Sequence, residues 1–252
     1  MLGSDQHSFV GRIYHLSVGS MHFDCYDNLA RHADCKYAFH VNEALTNLVR
    51  RVESLNMVGS MLWPKGMPKS FKDFPVSRYE WLNISADVFL ARYISVVDCA
   101  LILTNEVFEA GLAPQSCTYA SLKKKSVPPP VLHLIQTMID DQGALRQERN
   151  SRLHHGAERR FSSDDQTPRM VALFEHRNTP LVDEHRRPLP IERLFLEGLA
   201  ELQEDFNVLM RLLVKRLDRL YDLLEAEFEP RFSPKFAAGP FGDNGRSTRN
   251  QG

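Results

Sequence analysis

Apolar residues recur at three- and four-residue intervals along most of this chain, which is the spacing of one face of an α-helix. The first such stretch runs from about Tyr37 to Met61, and Pro64–Pro75 then predicts a loop. A second stretch, from Trp81 to about Leu112, is apolar around much of its circumference, so we expect it to be central and buried. A third, from Ile191 to about Phe228, is amphipathic throughout. The pattern therefore predicts three long helices.

Shorter helices are expected between the second and third of these. A short one is predicted over Ser121–Lys125, and Pro128–Pro130 ends it and opens the next, since proline fits the first turn of a helix. That next helix is expected to reach Asp140 or the residue after it and to kink near Gly143. It then continues over Leu145–His155.

Three stretches lack the helical spacing. Apolar and polar residues alternate over Ile13–Val18, which predicts a short strand. The polar region Phe161–Pro190 is rich in Asp, Arg, Thr and Pro, and a small β-hairpin is expected there with Met170–Phe174 as one arm. After Pro230 the chain is rich in Gly, Pro, Asn and Ser, a composition typical of disorder.

The predicted fold class is all-α: a helical bundle with a long C-terminal helix and a minor β-hairpin. We expect an irregular N-terminal segment over residues 1–36, one helical domain over residues 37–229 and a disordered tail over residues 230–252. The chain has 252 residues, 43 % of them hydrophobic and 25 % charged, which is ample for a core of ordinary composition.

Charge and composition narrow the classes of function. The net charge of −1 gives no overall attraction to nucleic acid, so any such contact needs a local patch, and many arginines fall within Arg146–Arg193. The N-terminus lacks the pattern of a secretory signal. The longest apolar stretch, Val96–Leu103, contains Asp98 and is too short to span a bilayer. Four cysteines are too few for a disulfide scaffold. We therefore expect a cytoplasmic protein without a membrane partner.

The stretch Arg149-Asn150-Ser151-Arg152-Leu153-His154 carries the most suggestive chemistry, because arginine binds and neutralises phosphate and histidine transfers protons near neutral pH. It ends the helical segment LRQERNSRLHHG, between a central hydrophobic helix and a long C-terminal one. This arrangement resembles the HEPN family of small helical ribonucleases and toxins over about residues 40–225. That family carries an Arg, a polar residue directly after it and a His four to six positions downstream of the Arg. Arg149, Asn150 and His154 match these roles in order.

The resemblance implies a metal-independent endoribonuclease without a cofactor, whose partners are RNA and a second copy of the chain. Arg149 from both subunits would bind the scissile phosphate in a composite cleft, and Asn150 would orient Arg149 or a phosphate by hydrogen bonding. His154 would act as general base on the 2′-OH or as general acid on the leaving oxygen. The resemblance also implies a role in defence or stress, with an antitoxin or other regulatory protein as a further candidate partner.

Several alternatives stay open at this stretch. Basic residues in a last helical turn followed by Gly156 are also what a well-capped helix end contains. His155 offers a second proton carrier beside His154. In HEPN toxins paired with nucleotidyltransferase antitoxins a Tyr occupies the position of Gly156, so regulation through that Tyr is not expected here. A HEPN-like bundle without catalysis, serving as a binding or assembly module, is the alternative function.

Two further groups of residues have candidate roles. Asp98 would be costly to bury alone, so we expect it either to pair with Arg149 or another arginine of that helix, or to lie on a narrow exposed stripe. The pattern H-x-D-C occurs twice, and its two Cys and two His could bind zinc. Because their spacing is tight and C-x2-C is absent, we favour polar loop residues over a metal site. The four residues are His22, Cys25, His32 and Cys35.

Overall fold

A computed structural model describes residues 6–65, 68, 70–72, 74–156, 158–161, 166–177, 179 and 181–242. The described residues form an all-α fold with eight α-helices and no β-strand, apart from an isolated bridge between Val182 and Pro188. The all-α prediction is confirmed. The helices are α1 (Ser8–Ser17), α2 (Tyr26–Leu29), α3 (Ala33–Leu62), α4 (Arg78–Val107), α5 (Tyr119–Leu122), α6 (Pro129–His155), α7 (Gln166–His176) and α8 (Ile191–Ala238).

The long helices match the pattern of apolar residues. α3, α4 and α8 each cover a predicted helical stretch with ends shifted by a few residues, and α8 continues ten residues beyond Phe228. α6 opens at the proline triplet and bends where the sequence predicts a kink. The backbone of Gly143 has φ 28° and ψ −115°, which interrupts the helical geometry at that residue.

The N-terminal segment is helical, so the strand predicted over Ile13–Val18 and the irregular region around it are wrong. α1 begins after His7, whose imidazole accepts a hydrogen bond from the backbone N–H of Phe9 at 3.2 Å. Phe9, Val10 and Ile13 are fully buried on one face of the helix. Burial of that face decides the local structure, because tertiary packing contributes more to helix stability than local preference.

The predicted hairpin arm Met170–Phe174 is also wrong, because these residues belong to α7. The adjacent residues Val171 and Ala172 are both buried, whereas a half-buried strand would bury alternate residues. In the following turn, the Glu175 carboxylate accepts a hydrogen bond from Arg78 at 3.0 Å. This contact attaches α7 to the start of α4.

The tail predicted to be disordered from Pro230 is helical as far as Ala238. Phe228 and Phe232 stack with ring centroids 5.4 Å apart, and both side chains are buried. A proline inside a helix removes one hydrogen bond, and here the packing of an aromatic face outweighs that loss. The remaining part of the prediction, residues 243–252, lies outside the described residues.

The chain forms two compact units, of which the first comprises Met1–Glu53, Ser95–Gln142 and Leu212–Gly252. Its core contains an aromatic cluster in which Tyr37 stacks on Phe228 with centroids 5.2 Å apart. Long helical segments surround the cluster with apolar side chains. Buried residues of this core include Val41, Leu45, Leu48, Val52, Val97, Ala100, Leu103, Ile135, Met138, Leu217, Leu220 and Leu224.

The second unit comprises Ser54–Ile94 and Gly143–Arg211. Phe206 of α8 lies 5.7 Å from Trp63, which follows α3, and 5.6 Å from Phe89 of α4, measured between ring centroids. Further buried residues of this unit are Leu55, Val58, Leu62, Leu82, Ala86, Leu90, Val171, Ala172, Phe195, Leu199 and Leu202. No helix in the described ranges combines the length and hydropathy needed to cross a bilayer.

Candidate functional site

The stretch from Arg149 to His154, called here the RN-x3-H stretch, lies on the second half of α6, within the second unit. This half of α6, after Gly143, is called the motif helix. Two glycines with positive φ bound this helical segment: Gly143 at the kink, and Gly156, whose φ of 64° is the left-handed geometry of a helix cap. Arg152, His154 and His155 occupy the last turn, where positive charge complements the helix dipole. The segment therefore has the features of an ordinary, well-terminated helix as well as the candidate chemistry.

The structure distributes the candidate residues over different sides of this helix. Asn150, His154 and His155 are exposed, whereas Arg149 is half-buried. Since each residue turns an α-helix by about 100°, Asn150 and His154 lie within about 40° of one another, while Arg149 and His154 are about 140° apart. Asn150 and His154 thus share an exposed stripe, and Arg149 projects from another side.

Arg152 attaches the motif helix to α4, a role that the sequence pattern did not reveal. Its side chain is only 4 % exposed, and its Nε donates to Asp87 Oδ1 at 2.5 Å. Its terminal nitrogens lie 3.4 Å from a Glu148 carboxylate oxygen and 3.3 Å from Asn83 Oδ1. Asn83 and Asp87 are four residues apart and share a face of α4, and Glu148 precedes Arg152 by four. These two four-residue spacings are the features of the sequence from which the Arg152 contacts could have been predicted.

Arg149 differs from this neighbour in its hydrogen bonding. Its Nε is buried, and no acceptor among the described residues lies within hydrogen-bonding distance of that nitrogen. A buried donor without an acceptor costs on the order of 1–3 kcal/mol, and more when the group is charged. An anion that contacts the exposed part of the half-buried Arg149 side chain would offset the charge of a guanidinium whose Nε lacks an acceptor.

Arg159 and Arg78, two further buried arginines of the second unit, have carboxylate partners. The Arg159 side chain donates to Glu201 at 2.8 Å and to Asp205 at 2.6 Å, both on α8. Burial alone would lower the pKa of the Arg159 guanidinium, but these two hydrogen bonds raise it above the ordinary value. Arg78 is similarly held, with Glu175 at 3.0 Å and the Phe71 ring 4.6 Å below its guanidinium. These arginines are occupied by structural contacts.

Asp98, the predicted partner of the motif helix, is half-buried and belongs to the first unit, whereas Arg149 belongs to the second. Asp87, another carboxylate of α4, binds Arg152 of the same helix as Arg149. The pairing of Asp98 with Arg149 stays a prediction.

The four residues of the repeated H-x-D-C pattern lie in different environments. Cys25 is exposed and Cys35 is buried, and the imidazole of His32 packs against the Phe23 ring at 5.3 Å between centroids. Among the residues described here, no group of three or more His, Cys, Asp or Glu side chains is arranged to hold a metal ion.

The chain matches no protein-family model, no curated protein and no solved structure at a significant level. The fold and the site therefore define a class: an all-α protein of two compact units. Its candidate site combines an exposed Asn–His stripe with a half-buried arginine on one helix.

Proposed function

We propose that this protein is a HEPN-like, metal-independent endoribonuclease that works as a homodimer in the cytoplasm, in a defence or stress response. The observation that carries the proposal is the Arg149 side chain, whose buried Nε has no acceptor among the described residues. Arg152, Arg159 and Arg78 all have carboxylate partners. Arg149 is thus the arginine of the motif best suited to receive an outside anion.

The exposed stripe supplies the other groups that the reaction requires. His154 is accessible to a substrate, and Asn150 lies one turn before it, where its amide can hydrogen-bond to the same nucleotide. His155 is also exposed and is the alternative proton carrier.

A shared site follows from the helical geometry. Arg149 and His154 diverge by about 140° around α6, so the two side chains of one copy do not face a common point. A second copy related by a two-fold axis can set its own His154 opposite the first copy's Arg149, since such an interface pairs each residue with a different one of its partner. In place of the single cleft with Arg149 from both subunits that the resemblance implies, this proposal has two cleavage sites, each with Arg149 from one copy and His154 from the other.

The chemistry is a transesterification. The RNA 2′-oxygen attacks the adjacent phosphorus, His154 takes the 2′-OH proton, and the bond from phosphorus to the 5′-oxygen breaks. The leaving 5′-oxygen gains a proton from an imidazolium, so the products are a 2′,3′-cyclic phosphate and a 5′-OH. Arg149 stabilises the charge that develops on the phosphoryl oxygens. Because the nucleophile is the 2′-OH, DNA is not a substrate.

The second candidate function is a binding or assembly module without catalysis. The separation of Arg149 from His154 around the helix favours it, because phosphate binding by Arg149 alone does not need His154 nearby. RNA binding that depends on Arg149 but not on His154, without cleavage, is the outcome expected of such a module.

The test is RNA cleavage in EDTA by the full chain, compared with Arg149→Ala and His154→Ala. Arg193→Ala and His185→Ala are matched controls, since both side chains are largely exposed, at 70 % and 64 %. We expect cyclic phosphate ends from the parent and both controls, and a loss of about 100-fold or more in each motif variant. Absence of cleavage by the folded parent on several RNAs, or cleavage that survives both motif substitutions, would contradict the proposal.

Mixed dimers test the shared site directly. Arg149→Ala and His154→Ala chains are each inactive, but a mixed dimer holds one site with both residues intact. Mixing the two variants should therefore restore part of the activity, whereas a site contained within one chain gives no recovery. Size-exclusion chromatography with light scattering should show the parent as a dimer.

A further inference from the structure

A cavity of about 320 Å³ lies in the first unit, far along the chain from the RN-x3-H stretch. α1, the first turns of α3 and the end of α8 supply its walls. Its volume is within the range of small-molecule sites, which are mostly apolar with a few well-placed polar groups. The residues that bear on its chemistry are Asp34, Cys35, Phe39, Phe232, Phe236 and Phe241.

Asp34 places a buried carboxylate in the wall of this cavity. The residue is only 2 % exposed, and its Oδ1 has no hydrogen-bond partner among the described residues. Buried carboxylates are normally paired or hydrogen-bonded, because loss of hydration costs several kcal/mol. Oδ1 is therefore short of a donor, and the cavity that Asp34 lines can hold a molecule whose positive charge offsets that of the carboxylate.

Gly239 creates the space for this carboxylate. A Cβ at position 239 would lie 2.3 Å from Asp34 Oδ2 and 2.6 Å from Oδ1, closer than atoms can approach. A larger residue at position 239 would thus displace Asp34. The absence of a side chain at Gly239 is therefore what allows the Asp34 carboxylate to occupy its observed position.

The positive charge that lines the same cavity is engaged elsewhere. The Arg12 Nε binds Glu229 Oε1 at 2.7 Å, and the guanidinium lies 5.9 Å from the Phe232 ring centroid. His15, the other basic residue of the walls, is exposed. Cys35 brings no charge, since burial and the neighbouring Asp34 raise the pKa of its thiol to about 12. The group that seeks a partner inside the cavity is an anion, so its complement is a cation.

The aromatic walls fit the same kind of ligand. Phe232 and Phe236 have centroids 5.6 Å apart, and Phe241 and Phe39 line other parts of the cavity. Aromatic faces attract ammonium groups electrostatically and bury apolar groups. We propose that this cavity binds a small organic cation, an ammonium group on an apolar body, with the ammonium on Asp34 and the body among the phenylalanines.

The test uses three probes of one shape on the full chain: phenethylammonium, the neutral 2-phenylethanol and the anionic phenylacetate. Calorimetry at neutral pH should show phenethylammonium binding at least tenfold more tightly than the other two. Chemical-shift changes in an NMR titration should be confined to residues of the cavity. Equal binding of all three probes, or binding of none, would overturn the proposal.

Variants assign the binding to Asp34. Asp34→Asn keeps the shape but removes the charge, and it should weaken phenethylammonium binding at least tenfold, whereas Asp24→Asn, on an exposed loop, should leave it unchanged. Gly239→Ala should weaken it as well by displacing the carboxylate, with the exposed Gly11→Ala as its control. Full-strength binding to folded Asp34→Asn contradicts the inference. If Asp34→Asn does not fold, full-strength binding of phenethylammonium to folded Gly239→Ala contradicts the inference instead.

Discussion

Two arginines three positions apart on α6 have different environments. Arg152 is buried and has four acceptors from Asp87, Glu148 and Asn83, whereas the Arg149 Nε has none among the described residues. Sequence alone cannot separate them, because both stand in the same stretch and both are helical. The difference depends on α4, which presents a carboxylate and an amide to one of them. Arg152 is therefore assigned to stability, and the proposal gives Arg149 the role of binding phosphate.

The Arg152 contacts predict a loss of stability in Asp87→Asn. The substitution keeps the shape of the side chain but removes the negative charge nearest a guanidinium that is 4 % exposed. We expect the free energy of unfolding to fall by about 1–3 kcal/mol, measured by urea denaturation. Asp24→Asn should change it by less than about 0.5 kcal/mol. An unchanged midpoint in Asp87→Asn would mean that the pair contributes no more than a surface ion pair.

Sequence reasoning found part of the candidate site for a physical reason. Arg149, Asn150 and His154 were recognisable because their order and helical setting are local properties of the chain. The ion pair of Arg152 with Asp87 was not recognisable, because the two residues are 65 positions apart. The cavity around Asp34 was not recognisable either, because Asp34 and Phe241 are more than 200 positions apart. Asp98 was a candidate because it interrupts the most apolar stretch, whereas Asp87, which lies three turns earlier on α4 and binds Arg152, has no such signal in the sequence.

At the scale of elements, the segments predicted correctly are those whose apolar pattern is long and regular. α3, α4, α6 and α8 each bury a face over many turns, so chance alternation cannot obscure the period. α1 and α7 are 10 and 11 residues long, and over such lengths the same apolar residues also suit a strand. The prediction for the end of α8 was wrong because its local composition favours disorder. The burial of Phe232, which stabilises the helix there, depends on the rest of the first unit.

The backbone geometry of two glycines, Gly143 at the kink of α6 and Gly11 inside α1, predicts opposite effects of a Gly→Ala substitution. Gly143 has φ 28°, which strains any residue with a side chain, so Gly143→Ala should destabilise the protein by about 1–3 kcal/mol. Gly11, inside α1, has open space around it, so Gly11→Ala should stabilise the protein by about 0.5–1 kcal/mol. Thermal unfolding followed by circular dichroism measures both. A stabilising Gly143→Ala would show that α6 is straight in solution.

At the scale of the whole molecule, burial of neutral thiols predicts a weakening at alkaline pH. Burial raises the pKa of Cys35 to about 12 and that of Cys117 to about 11, while an unfolded cysteine titrates near 8.5. The unfolded chain therefore loses these protons first. The stabilisation is complete below about pH 8.5 and decreases as the pH rises toward 11.

The measurement is the urea midpoint between pH 7.5 and 10.5, in the parent and in a Cys35→Ala, Cys117→Ala double variant. The parent should lose stability more steeply with pH than the double variant, because only the parent has the two thiols to titrate. Parallel pH profiles would show that other groups account for any decline. The comparison depends on the slopes, so a constant difference in stability between the two proteins does not affect it.

The first unit is assembled from three separate stretches of the chain, and the last begins at Leu212. That stretch includes Tyr221, which lies 6.0 Å from Phe9 between ring centroids, and Phe228, which stacks on Tyr37. A nonsense mutation just before Leu212 would leave the residues that precede it intact, yet it would remove the packing partners of Phe9 and Tyr37. A stop codon at this point is therefore expected to be as damaging to the first unit as one placed far upstream of it.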